Sequence, residues 1–435
     1  MRTNLRRVFT VVLAGAVVLT SGCSTAVDGT PLADPRATRS SEPSGPVTLT
    51  FLTSLNDGYE DLLTEYRSEH SGVTIKVQRT DPGSYYPKLR TMLAAGQPPD
   101  LAVVGDEYRA DLFGQPGLFA DLAEAGPDDV DPKRWLDWKY EGGLGKDDAW
   151  FGYGMDSAPI GMAYRTDLFA AAGLPTDPAQ VGDLFKSWDA YFAAGDQYTR
   201  KTGKPWFDSA SEVFTTMQNQ LDNPYFDRDD KLVIQSNTKL KAGWDAVTGA
   251  IGRGQSAKLE PFSPEWFSGF RAGTFATAPA PYWMLNLIKS QAGPENAGKW
   301  AVADTFPGGG ANWGGSYLVV PKKSPATEQA AALAAWLTAP EQQLRLFESV
   351  GAFPSQVDAL ASTKLRGATD DYFVTKETGR IYADLADKVT VAPYGAPRDS
   401  RVQTEAMWPA LQAVEHGTPP DAGWQQAVDK AGQLN

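Results

Sequence analysis

The feature that most constrains the fold is the spacing of apolar residues along residues 47–104, which alternates between the spacing typical of strands and that typical of helices. Alternating apolar and polar residues predict half-buried strands at Val47–Phe51 and Val73–Val77, and a short apolar run predicts a buried strand at Leu101–Val104. Between them, apolar residues spaced three and four apart predict amphipathic helices at Tyr59–Tyr66 and Tyr85–Met92. This alternation of strands and helices indicates a parallel α/β sheet, because a crossover helix returns the chain to the same edge of the sheet.

The same patterns continue less regularly through the rest of the chain. We predict a strand at Met162–Tyr164 that leads into a helix at Thr166–Ala172, and a further strand at Tyr317–Val320. The segment Thr338–Glu341 has the spacing of a capping box with a proline in the first turn. We therefore expect Thr338 to cap a helix that runs to Val350.

The first 46 residues have a different character from the rest of the chain. Three arginines precede an apolar run from Val8 to Leu19, which is typical of an export signal and too short to span a bilayer core of roughly 30 Å. The run leads into Leu19–Cys23, which resembles the lipobox of bacterial lipoproteins, and Cys23 is the only cysteine. We predict a signal peptide at 1–22, followed at 23–46 by a lipidated Cys23 and a disordered proline-rich tether.

Composition excludes several classes of function. The formal net charge is −13, and removal of residues 1–22 takes away three arginines and no acidic residue. An acidic chain lacks the basic patches that nucleic-acid binding requires, so we expect no nucleic-acid partner.

The motifs that usually carry catalysis are incomplete. Gly293–Lys299 has the spacing of a phosphate-binding loop, but Trp300 stands where a Ser or Thr hydroxyl would bind magnesium. The two histidines, His70 and His416, lie near predicted helix ends, where surface positions are expected. We therefore predict no metal, no cofactor and no enzyme. A glycosidase that uses a carboxylate pair stays open, because the 53 acidic residues offer many pairs and the sequence selects none.

From about Val47 to the C-terminus the chain resembles the extracellular solute-binding proteins of bacterial carbohydrate ABC importers, of the maltodextrin- and cellobiose-receptor type. Four blocks in order carry the resemblance: Pro98–Val104, Tyr164–Leu174, Asn312–Tyr317 and Gly351–Ser355. Arg165 stands where the family usually has asparagine. Within the family, the third and fourth blocks are most similar to those of receptors for β-linked disaccharides and short oligosaccharides such as cellobiose or chitobiose.

The resemblance implies an α/β, two-lobed periplasmic-binding-protein-like fold (type II), with mixed sheets, flanking helices and a hinge. Residues 47–158 with 316–352 are expected to form lobe 1, and residues 159–315 with 353–435 lobe 2. Such a receptor would work as a monomer at the extracytoplasmic face of the cell membrane, anchored through Cys23. Its expected partners are a neutral carbohydrate ligand, held between the lobes, and ABC permease subunits in the membrane.

A pyranose has apolar faces and a rim of hydroxyls, so its pocket needs flat aromatic rings and polar partners. The resemblance and the predicted strand ends indicate these ligand-binding candidates: Ser54, Asn56, Asp106, Glu107, Asp156, Tyr282, Trp283, Trp313, Gly314, Gly315, Ser316, Tyr394 and Arg398. Each has a structural alternative, such as a turn at Asn56, core packing for the aromatic residues, or an ion pair at Arg398.

Three other functions remain open at this stage. The same fold would also suit a polyol or glycerophosphodiester receptor, and the chain would also suit a lipid-anchored glycosidase or a purely structural lipoprotein. Fold alone does not decide among them.

Overall fold

Eight strands in the described part of the chain form two separate sheets. The computed structural model describes residues 45–55 and 57–434. The strands are β1 (Val47–Ser54), β2 (Val73–Thr80), β3 (Leu101–Gly105), β4 (Gly152–Gly154), β5 (Ile160–Arg165), β6 (Thr277–Pro281), β7 (Trp300–Ala303) and β8 (Ser316–Val319). The first sheet has the order β2-β1-β3-β8-β4, and the second has the order β6-β5-β7.

The first sheet begins parallel and ends antiparallel. Strand β1 pairs in parallel with β2 and β3, which confirms the parallel arrangement predicted for residues 47–104. Strand β8 then pairs antiparallel with β3 and β4, and its Ser316 lies opposite Gly105. The start of β8 therefore lies at the same edge of the sheet as the carboxyl ends of β1 and β3. In the second sheet β5 is antiparallel to both neighbours.

Helices make up most of the remaining described residues. They are α1 (Glu60–Glu69), α2 (Pro82–Ala94), α3 (Asp106–Phe113), α4 (Leu122–Ala125), α5 (Asp137–Gly142), α6 (Thr166–Ala172), α7 (Pro178–Leu184), α8 (Trp188–Thr202), α9 (Ala210–Gln218), α10 (Thr238–Gly252), α11 (Pro264–Ala272), α12 (Met284–Ala292), α13 (Thr327–Leu337), α14 (Pro340–Val350), α15 (Val357–Ala361), α16 (Thr363–Arg366), α17 (Thr378–Ala386), α18 (Asp399–Val402), α19 (Trp408–Glu415) and α20 (Pro420–Leu434). Short 3-10 turns lie at Pro132–Arg134 and Pro294–Asn296, and a π-helical turn at Gln403–Met407 joins α18 to α19.

Local sequence signals explain several of the helix ends. Helix α2 begins after Asp81, whose side chain accepts a hydrogen bond from the Ser84 N–H at 3.0 Å. Helix α6 ends at Gly173, which has the left-handed φ of 72° that glycine tolerates. The predicted capping box is wrong: Ala339 precedes α14 without a side-chain cap, and the Thr338 hydroxyl donates to the Ala334 carbonyl at 2.9 Å. Thr338 therefore bonds back into the last turn of α13, and the residue directly before α14 is Ala339, which has no side-chain acceptor.

The two sheets have separate hydrophobic cores. Buried side chains from residues 49–153 and 317–346 pack on the first sheet. Those from residues 160–311 and 353–434 pack around the second. Each core thus combines distant stretches of sequence, and the chain passes between the two regions near residues 157, 315 and 353.

Three carboxylates lie inside the second core. Asp208 and Glu212 are almost fully buried, and Glu415 is buried beside them. One Asp208 oxygen accepts from the Trp266 indole N–H at 2.8 Å, while Glu415 accepts from the backbone N–H of Ala210 at 3.0 Å. Burial raises the pKa of Asp208 to about 7, and it also raises the pKa values of Glu212 and Glu415.

This cluster predicts that the protein is more stable at pH 5 than at pH 8. Asp208 stays protonated in the folded state up to about pH 7, whereas its unfolded pKa is near the ordinary 3.8. Its contribution is therefore complete below about pH 4 and is lost as the pH rises through 7. We expect Asp208→Asn to raise the melting temperature at pH 8 and to flatten its pH dependence between pH 5 and 8. Equal slopes for wild type, Asp208→Asn and the exposed control Asp421→Asn in thermal unfolding scans would contradict this.

Some sequence expectations fall outside the described residues. These are the signal peptide at 1–22, the lipidation of Cys23, residues 23–44 of the tether, and the candidate Asn56. Within the described residues, no helix has the length and apolar character needed to cross a bilayer.

Candidate ligand-binding cleft

A cleft of about 480 Å³ lies between elements of the two sheet regions. One wall is the start of α3, directly after β3, and the other comes from α9, Trp283 and residues 393–408. Residues 312–314, which lead into β8, form its floor. This position matches the rule that open α/β sheets bind ligands beyond the carboxyl ends of their strands.

Three tryptophans line this cleft. Trp283 follows β6 and keeps 39% of its surface exposed, and its indole N–H donates to the Trp313 carbonyl at 3.3 Å. The Trp408 indole N–H donates to the buried Thr215 hydroxyl at 3.0 Å. Both indole N–H groups are thereby satisfied within the protein. The cleft therefore offers aromatic surface beside a polar rim.

The polar rim is organised by Asn312. Its amide N–H groups donate to Asp106 at 3.2 Å and to the Gly314 carbonyl at 2.8 Å, and its side-chain oxygen accepts from the Ala158 N–H at 2.8 Å. Asp106 also pairs with Arg109, one turn along α3, at 3.4 Å. Opposite them, the Asn219 amide donates to the Asn312 carbonyl at 3.0 Å. These groups therefore hold one another in place at the rim.

A second cavity of about 400 Å³ adjoins the cleft and shares Glu107 with it. Its walls include Ser54 at the end of β1, Tyr108 and Asp156. The Ser316 hydroxyl donates to Asp156 at 2.7 Å. Glu107 faces the cavities, but the surrounding protein still desolvates its carboxyl group and raises its pKa. Burial also raises the pKa of Asp156.

The chain passages between the two sheet regions meet beside these cavities. The Ser157 N–H donates to the Phe353 carbonyl at 2.7 Å, and the Trp313 N–H donates to the Ala158 carbonyl at 2.9 Å. Beneath them lies the fully buried Lys139, whose ammonium sits 3.8 Å from the centre of the Tyr317 ring. Burial lowers the pKa of Lys139, although nearby Asp106 and Asp156 oppose this shift.

A second set of contacts joins the two regions at the segment 393–395. The Arg109 guanidinium donates to the Pro393 carbonyl at 2.9 Å. Lys146 forms an ion pair with Asp230, which also accepts from the Tyr394 hydroxyl at 2.7 Å. Burial together with this hydrogen bond raises the pKa of Tyr394 to about 12. The cleft is therefore bounded both at the chain passages and at this segment.

Comparison with known proteins decides the family. The model of the bacterial extracellular solute-binding proteins matches residues 61–371, which is most of the chain. The chain belongs to this family.

Relatives of this solute-binding protein support the assignment along its length. The arabinooligosaccharide-binding protein of Bacillus subtilis (strain 168) is 26% identical, with 97% of both chains covered. A crystal structure described as an extracellular solute-binding protein of family 1 is 40% identical with a TM-score of 0.87, covering 89% of this chain and all of that one. The sugar-binding protein MalE from Xanthomonas citri is 19% identical with a TM-score of 0.75, covering 89% and 97%. These structures confirm the predicted fold class, and the family places the protein outside the cytoplasm.

Most of the predicted site residues of this solute-binding protein line the two cavities. These are Ser54, Asp106, Glu107, Asp156, Trp283, Trp313, Gly314, Gly315, Ser316 and Tyr394. Two others have packing roles and line neither cavity. The ring of Tyr282 packs 4.6 Å from that of Phe353, and the Arg398 guanidinium lies 5.0 Å from the centre of the Phe226 ring.

Several cavity residues were missed by the sequence analysis. They are Arg109, Thr215, Gln218, Asn219, Asn312, Gln403 and Trp408. Arg109 could have been found from its position one turn after Asp106, and Asn312 from its place next to Trp313. The others lie on α9 or directly after it, in the π-helical turn, or at the start of α19. No motif marks them, although π-helical turns are frequent at functional sites.

Two carboxylates of the cavities are held by neighbouring side chains. In residues 45–55 and 57–434, no group of three His, Cys, Asp or Glu side chains is arranged to hold a metal ion. Asp106 is committed to Arg109 and Asn312, and Asp156 to Ser316. The relatives reported above are binding proteins, which agrees with a receptor.

Proposed function

We propose that this protein is the substrate receptor of an ABC importer and captures a neutral di- or oligosaccharide in the cleft. The observation that carries the proposal is the pairing of three tryptophans with an ordered rim of carboxylate, amide and guanidinium groups. Aromatic faces suit the apolar faces of pyranose or furanose rings, and the rim suits their hydroxyls. The names of the Bacillus and Xanthomonas relatives support a sugar ligand.

The charge of the cleft favours a neutral ligand over an anion. Among its lining residues Arg109 is basic, whereas Asp106, Glu107, Asp111 and Asp399 are acidic. Arg109 is also already paired with Asp106. A phosphate would therefore meet net negative charge, which disfavours a glycerophosphodiester.

We further propose that residues 47–158 with 316–352 form lobe 1, and that residues 159–315 with 353–435 form lobe 2. The separate cores and the hydrogen bonds near residues 157, 315 and 353 support hinges at these points. A lipid anchor at Cys23 would hold this receptor at the outer face of the cell membrane, where a monomer would deliver its ligand to the permease subunits.

The proposal is tested by thermal unfolding of the soluble body, residues 46–435, with a panel of sugars. The panel should hold malto-, cello-, chito- and arabino-oligosaccharides of two to four units, with glycerophosphocholine as the phosphodiester control. A ligand at a hundredfold excess over its Kd stabilises the folded state by about 2.7 kcal/mol. We expect a clear rise in melting temperature for one linkage series and intact sugar on chromatography afterwards. Stabilisation by glycerophosphocholine alone, or hydrolysis of the sugar, would refute the proposal.

A further inference from the structure

Phe262 occupies an unusual backbone position at the protein surface. In the turn from Glu260 to Ser263, the Ser263 N–H donates to the Glu260 carbonyl at 3.1 Å, and Pro261 and Phe262 are the central residues. Phe262 has a φ of 64°. A turn of this kind with proline first and positive φ second ordinarily carries glycine or asparagine at the second place. A phenylalanine there has a conformational cost that glycine would avoid.

The Phe262 side chain does not recover this cost by full burial, because 49% of its surface is exposed. Its ring contacts the Trp266 ring, with centroids 5.1 Å apart, on the core side. It also has Phe267 and Trp283 as aromatic neighbours, each with its ring centroid 6.5 Å away. The Phe267 plane is inclined by 71°, whereas the Trp283 plane is inclined by only 21°. Since Trp283 lines the cleft and is itself exposed, the two nearly parallel rings extend the aromatic wall from the cleft to the outer surface.

We propose that Phe262 is an outer stacking platform for a sugar unit beyond the one held at Trp283, so that the receptor is built for oligosaccharides of three or more units. This inference rests on the proposed sugar-binding function. The exposed ring of Phe262 is continuous with the cleft through Trp283. We therefore expect it to contact the sugar that is bound in the cleft. A strained, exposed aromatic residue at the end of an aromatic wall is explained if it contacts the ligand.

The test is the dependence of affinity on sugar length. Wild type, Phe262→Ala and Phe262→Tyr are titrated by calorimetry with the di-, tri- and tetrasaccharides of the series that stabilises wild type. Loss of one aromatic stacking contact corresponds to roughly three- to tenfold in affinity. We expect Phe262→Ala to lose this factor for the tri- and tetrasaccharides, with less than a twofold change for the disaccharide. Phe262→Tyr, which keeps a flat ring, should bind all three like wild type.

Phe262→Gly separates stacking from folding. Glycine relieves the positive φ, so this variant should fold normally and still show the length-dependent loss. Three results would overturn the inference. They are an equal loss of affinity for every sugar length, no loss of affinity, and a loss of sugar uptake by cells with unchanged affinity. The last outcome would assign the ring to a protein contact. If wild type binds no sugar, both the proposed function and this inference fail. If the Phe262 variants lose the same affinity for every sugar length, only this inference fails.

Discussion

Trp283→Ala is expected to lower sugar affinity by roughly 30- to 150-fold, which corresponds to about 2–3 kcal/mol, the range of a binding hot spot. Trp283 lines the cleft beside Trp313 and offers an exposed aromatic surface. Removing it takes away the ring on which a sugar face would stack. Because the side chain is 39% exposed and makes one long hydrogen bond, the cost to folding should stay below about 1 kcal/mol.

Two variants make this result specific. Trp283→Phe keeps a smaller flat ring and should lose less affinity than Trp283→Ala. Val374→Ala removes another exposed apolar side chain, 42% exposed, that lines neither cavity, and should bind like wild type. Calorimetric titration gives the affinities, and circular dichroism checks the fold. Affinity of Trp283→Ala within threefold of wild type would show that the ligand lies elsewhere.

The elements of the first sheet could be predicted because their signals are local. Alternation at Val47–Phe51 and Val73–Val77 gave β1 and β2, and the spacing of Tyr59–Tyr66 gave most of α1. Each pattern covers fewer than a dozen residues and depends only on which face is buried. The order β2-β1-β3-β8-β4 was beyond such reasoning, because β8 pairs with β3 across more than 200 residues of chain.

The candidate site shows the same division. Residues at strand ends, such as Ser54 and Asp106, could be predicted because parallel strands end at a common edge. Thr215 and Trp408 could not, because tertiary packing alone brings α9 and α19 to the cleft. The sequence also did not show which of two neighbouring residues after a strand faces the cleft. Trp283 lines the cleft, whereas Tyr282 packs against Phe353. Successive side chains point in different directions, and the sequence does not say which direction is the cleft.

Gly315→Ala is expected to lower the free energy of unfolding by about 3 kcal/mol or more. Gly315 has a φ of 99°, which in an L-residue costs roughly 1–3 kcal/mol. A methyl group there would also lie 2.8 Å from the Asp156 carbonyl oxygen and 3.1 Å from the Lys139 ammonium. The carbonyl belongs to the backbone at the first chain passage, and Lys139 is fully buried, so neither can move aside cheaply.

Two other glycines separate backbone strain from this clash. Gly314 has a φ of 118°, but a methyl group there would make only ordinary contacts, with Ala158 at 3.6 Å and with the Trp283 indole nitrogen at 3.9 Å. Gly309 has a φ of 111° and open space around the added carbon. Their alanine variants should therefore show the strain alone, roughly 1–3 kcal/mol. If denaturant unfolding gives all three variants the same free energy of unfolding, the close approach of Asp156 and Lys139 to Gly315 does not contribute to stability. A larger loss for Gly315→Ala would mean that the junction of the two sheet regions requires backbone in contact with backbone, which only glycine permits.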